Sequence, residues 1–308
     1  MNIKALPYVT LLGFMFGSSM VFSRFGVGQF EPTTYIGIRM VISSLMALAV
    51  FRIATGRRLP RDRELWKRAG LLGVFGTAAP MTCVITSLQY QSSGVAALLL
   101  SVGPAITIVL AHFALPDELL SRRKVFGVSL ALGGAMLLAL SGEDGLPDVQ
   151  AAAPTGYILV LVAMVFSSVM VIYARKRLTG YDAYEVGSIR IFTTALVVMP
   201  LSLLTVGFDL SAVTAAGYVA LLYSAIMGTF LGLLLSFYNI KRFGATPAVM
   251  TTYIIPIVAG IGGVLVLGEE ITLTMTIGMG VIVSGIALLQ EYNRPATWMR
   301  RYPHRGSY

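Results

Sequence analysis

Three arginines, Arg24, Arg39 and Arg190, lie inside long apolar runs of this 308-residue chain. A charge so placed costs on the order of 3 kcal/mol to insert into a bilayer, so each asks for a reason. A guanidinium offers five N–H donors in a planar fork that grips a carboxylate through two parallel bonds. For Arg39 and Arg190 two roles follow: tying helix ends or carbonyls together, or gating and holding a substrate carboxylate. Both lie about 10 Å inside their runs at 1.5 Å per residue, a distance a long side chain can partly snorkel.

Hydroxyls at similar depth are Ser18, Ser19, Ser101, Ser167, Ser168, Tyr223, Thr229, Ser236, Thr251, Thr252 and Tyr253. A lone Ser or Thr usually bonds its own i−4 carbonyl or lets helices approach. As a set they are expected to face a cavity. The candidate substrate-binding residues are Ser18, Ser19, Thr77, Ser101, Ser168, Tyr223, Thr229, Thr252 and Tyr253. Pro80, Pro104 and Pro256 each free a carbonyl near mid-span, and with Arg39 and Arg190 they form a gating or structural set. Symmetric kinks at Pro104 and Pro256 are expected to act as hinges or cavity wall.

Other chemistry is missing. No Asp or Glu sits mid-span: Glu185 heads a run, and Glu118 and Glu269 end runs. A carboxylate proton relay is therefore not visible, and uniport or weak coupling is expected. The histidines are His112 and His304, with no His-Glu-x-x-His run. Ser101 and His112 are three turns apart on one helix, too far to act as nucleophile and base. Cys83 is the single cysteine, so no intrachain disulfide forms. Neither catalysis, metal nor cofactor is expected.

These residues need elements to hold them. The chain is 56% hydrophobic and 12% charged, against about a quarter charged in soluble domains. Its net charge of +9 could suggest nucleic acid, but the basic residues alternate with apolar runs instead of gathering on one solvated face, so no nucleic-acid partner is expected. Ten runs approach the roughly 20 residues that span a bilayer core. They cover 8–28, 32–51, 69–89, 93–115, 124–141, 154–174, 184–205, 215–238, 245–267 and 273–291. Apolar on all sides, they read as helices and not barrel strands.

Basic residues settle their direction. Lys4, Arg52 to Arg68, Arg122 to Lys124, Arg175 to Arg177, Lys241 with Arg242, and the tail from Arg294 form one set of loops. The alternate loops, near Glu31, Gln91, Glu143, Asp209 and Glu269, contain no Lys or Arg. The positive-inside rule then gives an all-α protein of ten transmembrane helices with both termini cytoplasmic. The first span is expected to be uncleaved and the protein to sit in a bacterial inner membrane.

The chain also repeats itself. Gly76-Thr77 recurs as Gly228-Thr229, Pro104 as Pro256 and Gly133 as Gly285, all at an offset of 152. Arg39 matches Arg190 at 151, and Ser18-Ser19 is matched to Ser167-Ser168 at 149. Five spans per copy make the second copy inverted, an architecture that places substrate near the midplane and alternates access by rocking. The expected units are 1–143, 144–292 and a basic tail 293–308. Spans 1, 3, 4, 6, 8 and 9 are expected to line the cavity. The Gly-rich spans 5 and 10 are expected to pack or to form a homodimer.

Gly17-Ser18, Arg39, Ser93-Gly94-Val95-Ala96-Ala97-Leu98 with Pro104 and Glu118, then Arg190, Ala245-Thr246-Pro247-Ala248, Pro256 and Glu269, resemble the EamA-type transporters of the drug/metabolite transporter superfamily. The resemblance implies a ten-helix carrier, usually an exporter of amino acids or related metabolites. Nucleosides or drug-like compounds are the alternative cargo, and a channel is a weaker reading. The family's frequent Trp-Gly is Phe16-Gly17 here, so an aromatic platform is not expected at that place.

Overall fold

The computed structural model describes residues 3–55, 60–116, 118–146, 154–243 and 245–289. Arg57, Arg58, Asp117, His304 and the tail 293–308 lie outside the described residues. Those described fold as helices α1 (Leu6–Val27), α2 (Pro32–Thr55), α3 (Arg63–Ser87), α4 (Ser93–Ala114) and α5 (Arg122–Leu140). Then follow α6 (Pro154–Arg177), α7 (Ala183–Thr205), α8 (Ala215–Ser236), α9 (Ala245–Leu267) and α10 (Leu273–Leu289). Among the described residues nine helices are long and apolar enough to cross a bilayer, and α10 is an apolar helix of 17 residues.

Helix starts follow from capping chemistry. The side chains of Asp62, Ser92, Ser121, Asp182 and Thr214 accept from backbone N–H groups at the heads of α3, α4, α5, α7 and α8, satisfying donors that a helix leaves orphaned. Gly142 and Gly268, with φ of 67° and 68°, turn the chain just past α5 and α9, a conformation glycine adopts without steric cost. The third span begins at Arg63, six residues before the apolar run expected at 69–89. Its first turn is polar but still helical, because Asp62 caps it and Arg68 pairs with Glu64 one turn back at 2.7 Å.

Among the described residues, several contacts join loops of the same expected face. On the basic face Arg68 donates to the carbonyl of Arg177 and Arg175 pairs with Glu118 at 2.6 Å. Asn239 on that face reaches the Tyr8 carbonyl. On the opposite, Lys- and Arg-free face, Gln29 holds Thr214, Ser92 N–H donates to Asp144 O, and Glu270 N–H donates to Gly145 O.

Small residues set the closest packing. A side chain at Gly127 would meet the Gly285 carbonyl at 2.8 Å, and Gly134 and Gly278 face Ile282 and Leu138 just as closely. The glycines of α5 and α10 thus bring these two helices against each other, while Gly133 and Gly280 face open space. Close approach of this kind drives helix association where lipid removes the hydrophobic incentive. Gly13 and Gly17 do the same for α1 against α9.

Two helices depart from α geometry. Val74–Ala78 in α3 and Ser224–Leu231 in α8 are π-helical. They occupy equivalent depths in the two halves, ending ahead of Pro80 and Gly232. In α4 the helix turns at Ser101–Val102 ahead of Pro104, whereas α9 runs unbroken through Pro256. The helix assignment is thus interrupted at one of the two prolines, while Pro256 lies buried inside a continuous helix.

Candidate functional site

A cavity of about 330 Å³ lies between the halves. Its apolar wall comes from Phe16, Met20, Met81, Val84, Ile85, Leu100 and Ile255, and its polar groups from Ser19, Thr77, Ser101, Ser167 and Thr252. Arg39 from α2 and Arg190 from α7 both reach it, beside Pro80. Among the described residues no Asp or Glu lines it. That volume and composition, apolar with a few convergent polar groups, is the usual build of a small-molecule site.

The two arginines cross between the halves. Arg39 Nε donates to Thr229 Oγ1 at 2.8 Å, within the π-helical segment of α8. Its Nη1 donates to Ser23 at 2.9 Å and its Nη2 to Ser19 at 3.2 Å. Tyr35 and Ser224, bonded at 2.8 Å, stand behind Ser23. The side chain is only 6% exposed. Arg190 Nε likewise donates to Thr77 Oγ1, and its Nη2 to the Gly76 carbonyl at 2.8 Å, within the π-helical segment of α3. A π turn leaves backbone carbonyls out of the regular ladder, and such turns recur at functional sites. Nη1 of Arg190 has no hydrogen-bond partner among the described residues.

Contacts also fix the internal register. Ser19 sits against Gly228, and Met170 sits against Gly76. Phe16 and Ser167 both line the cavity. Ser19 and Met170, like Phe16 and Ser167, are 151 residues apart, the offset of Arg39 and Arg190. The match of Ser18-Ser19 with Ser167-Ser168 is therefore corrected by two residues: a Ser-Ser doublet resembles any other in sequence, but only one register fills the glycine notch. Met170 and Ala174 then stand where Ser19 and Ser23 stand in the first half.

Of the expected binding residues, Ser19, Thr77, Ser101 and Thr252 line the cavity. Ser18 donates to its own Phe14 carbonyl at 2.6 Å and meets the Tyr223 hydroxyl at 2.8 Å. Ser168 bonds Thr107 of α4 at 2.8 Å. Thr229 serves Arg39, and Tyr253 packs on the cluster around Val95 and Met275. These five are not among the lining residues. The expectation that α8 lines the cavity is corrected accordingly: its hydroxyls are taken up by α1 and α2, and the cationic groups of α2 and α7 occupy the space. Pro104 and Pro256 are not among the lining residues.

The sequence places Glu269 at the end of a run but does not reveal its partner. This residue is 5% exposed and accepts from both the N–H and the hydroxyl of Ser93, each at 2.8 Å, at the head of α4. Burial pushes its carboxyl above the ordinary range, against the opposing pull of the Ser93 and Gly94 donors and the charge of Arg24. The signal was present in Ser93-Gly94 and in a span-ending Glu, two features far apart in sequence. His112 Nδ1 lies 2.9 Å from the Glu118 carbonyl, and no cluster of His, Cys, Asp or Glu with metal-site geometry occurs among the described residues.

The model of the EamA-like transporter family matches residues 3–140 and again 154–290. The chain is 27% identical over 288 residues to a protein of Escherichia coli strain K12 named uncharacterized inner membrane transporter YedA, covering 92% of this chain and 90% of that protein. It is 26% identical over 257 residues to the probable terminal-alkyne amino-acid exporter of Streptantibioticus cattleyicolor, covering 82% of each. A solved crystal structure, 19% identical, superposes with a TM-score of 0.64 over 95% of this chain and 98% of that one, so the two share a fold.

Proposed function

Since the chain belongs to the EamA-like transporter family and is a multi-pass inner-membrane transporter, we propose that it exports a small metabolite such as an amino acid by alternating access around the central cavity. The observation that carries this reading is the reciprocal pair Arg39–Thr229 and Arg190–Thr77, which ties each half to the other on either side of one cavity. Alternating access needs two such contacts that can open in turn.

In this reading residues 1–143 and 144–292 form inverted units of five spans, ten in all, with both termini cytoplasmic. The one-sided Lys and Arg loops support that orientation. Ser19, Thr77, Ser101 and Thr252 meet the substrate, and Ser18, Ser168, Tyr223, Thr229 and Tyr253 position the helices around it. Pro80 follows the π-helical segment of α3, where a changing turn would move the wall.

Counterflow in proteoliposomes of the purified protein, preloaded with pooled amino acids and tested against labelled amino acids, nucleosides and drug cations, tests the proposal. Saturable exchange of amino acids supports it. Non-saturable ion flux without exchange would overturn it in favour of a channel.

A further inference from the structure

The charge balance of the cavity is one-sided. Arg39 and Arg190 are permanent cations, and among the described residues no carboxylate lines the space they share. The two are not equally available. Arg39 has Nε, Nη1 and Nη2 each engaged by a hydroxyl. Arg190 is held through Nε and Nη2 only, which leaves the outer edge of its fork, including Nη1, without a protein acceptor among the described residues.

A cation in an apolar pocket is stable only with water or a counter-charge. One free guanidinium edge calls for one planar acceptor pair, which is the geometry of a carboxylate. Apart from the hydroxyls of Ser19, Thr77, Ser101, Ser167 and Thr252, which carry no charge, the rest of the wall is mainly aliphatic, aromatic or thioether, as Met20, Met81, Val84 and Ile255 illustrate. It offers an ammonium group no partner charge.

We propose that the cavity recognises a small organic anion, a single carboxylate on an apolar body, with the carboxylate on Arg190. This inference rests on the carrier reading above and replaces the amino acid named there as example cargo with an acid that lacks the ammonium group. A zwitterion is disfavoured because its ammonium would be desolvated beside two arginines, and a cation is rejected by like charge. A dianion gains less from Arg39 than from Arg190, because each nitrogen of Arg39 already donates to a hydroxyl.

The test varies charge and holds shape. 4-Methylpentanoate, leucine and leucinamide share one body and carry negative, zwitterionic and positive charge; 3-phenylpropanoate, phenylalanine and phenylalaninamide repeat the series on an aromatic body. Thermal melting of the purified full chain, titrated with each, reads affinity without transport, because a ligand of the folded state raises its stability in proportion to log concentration above Kd. The anion of at least one series is expected to bind about tenfold or more tighter than its zwitterion, and neither amide is expected to shift the melt. Arg190→Gln is expected to abolish the preference and Arg190→Lys to weaken it, each shift being read against the melting temperature of that variant's own empty protein.

Leucine or phenylalanine binding as tightly as its deaminated anion would overturn the anion proposal, as would an Arg190→Gln protein that keeps the preference, or no shift from either anion. Saturable counterflow of labelled leucine in those cases would leave the carrier reading standing. Absence of saturable counterflow with every probe would remove the carrier reading itself.

Discussion

The surroundings of Arg39 and Arg190 are the same construction in opposite media. Around Arg39, near the Lys- and Arg-free face, Ser19, Ser23, Tyr35 and Ser224 form a hydrogen-bonded network with almost no exposure. At the equivalent places around Arg190 stand Met170, Ala174, Val186 and Leu72. All four belong to one apolar cluster with Leu65, Ala69 and Ile189. The cross-bond to a π-helical Thr is common to both; the shell is polar in one and greasy in the other. Hydrogen bonds are directional and lost together, whereas apolar contacts slide. The comparison therefore teaches that the Arg39 side is built to hold and the Arg190 side to move.

The largest effect is expected from Arg39→Met, which strands three buried hydroxyls and should cost about 4 kcal/mol, the order found when one partner of a buried charged network is removed. It is read as a fall in melting temperature in detergent. Arg190→Met should cost less than about 2 kcal/mol in the same assay, since only two bonds are lost and the apolar shell remains. Equal losses would erase the distinction between the two sides.

Ser23→Ala comes next, with about 1 kcal/mol lost, the range of a single interhelical bond in a membrane protein. The converse change, Ala174→Ser, offers Arg190 the hydroxyl that Arg39 has. It should raise the melting temperature slightly and slow exchange in counterflow, and faster exchange would contradict the mobile assignment. Glu269→Gln should be smallest at neutral pH, within about 1 kcal/mol. A carboxyl raised on folding adds stability below the ordinary Glu range, about 4.3, and loses that addition as pH rises through its higher native value. Melting temperature measured across acid pH should therefore decline with rising pH through that window in the wild type and stay flatter in Glu269→Gln.

Much of this was legible in the sequence. Apolar run length and the one-sided basic loops gave the spans because a bilayer imposes both. Arg39, Arg190, Thr77 and Ser101 stood out because polar groups are rare at that depth. What failed was what depends on contact. The register of α1 against α6 is decided by the notches at Gly76 and Gly228, not by the Ser doublets. The polar start of α3 is helical because its cap and its Glu64–Arg68 pair suffice at a wet interface. Glu269 finds Ser93 at a separation of 176 residues, a distance no local pattern reports. The division of hydroxyls between wall and scaffold likewise follows from which neighbour each one meets.

The π-helical segments of α3 and α8 behave as phase shifts in two long screws. An α-helix advances about 100° per residue, and a π turn absorbs one residue more than the α turn it replaces. Each helix therefore presents one face to its surroundings below the wide turn and another above it, without a break in the rod. Moving the wide turn along the rod by a few residues would rotate only the stretch it passes and leave both ends anchored in their loops. Deleting one residue within 74–78 would cancel the shift and turn Thr77, or everything beyond it, through about a quarter of a revolution. A signature of timing, set by residue count and not by residue type, is thus written into the two places where, among the described residues, Arg39 and Arg190 grip the opposite half.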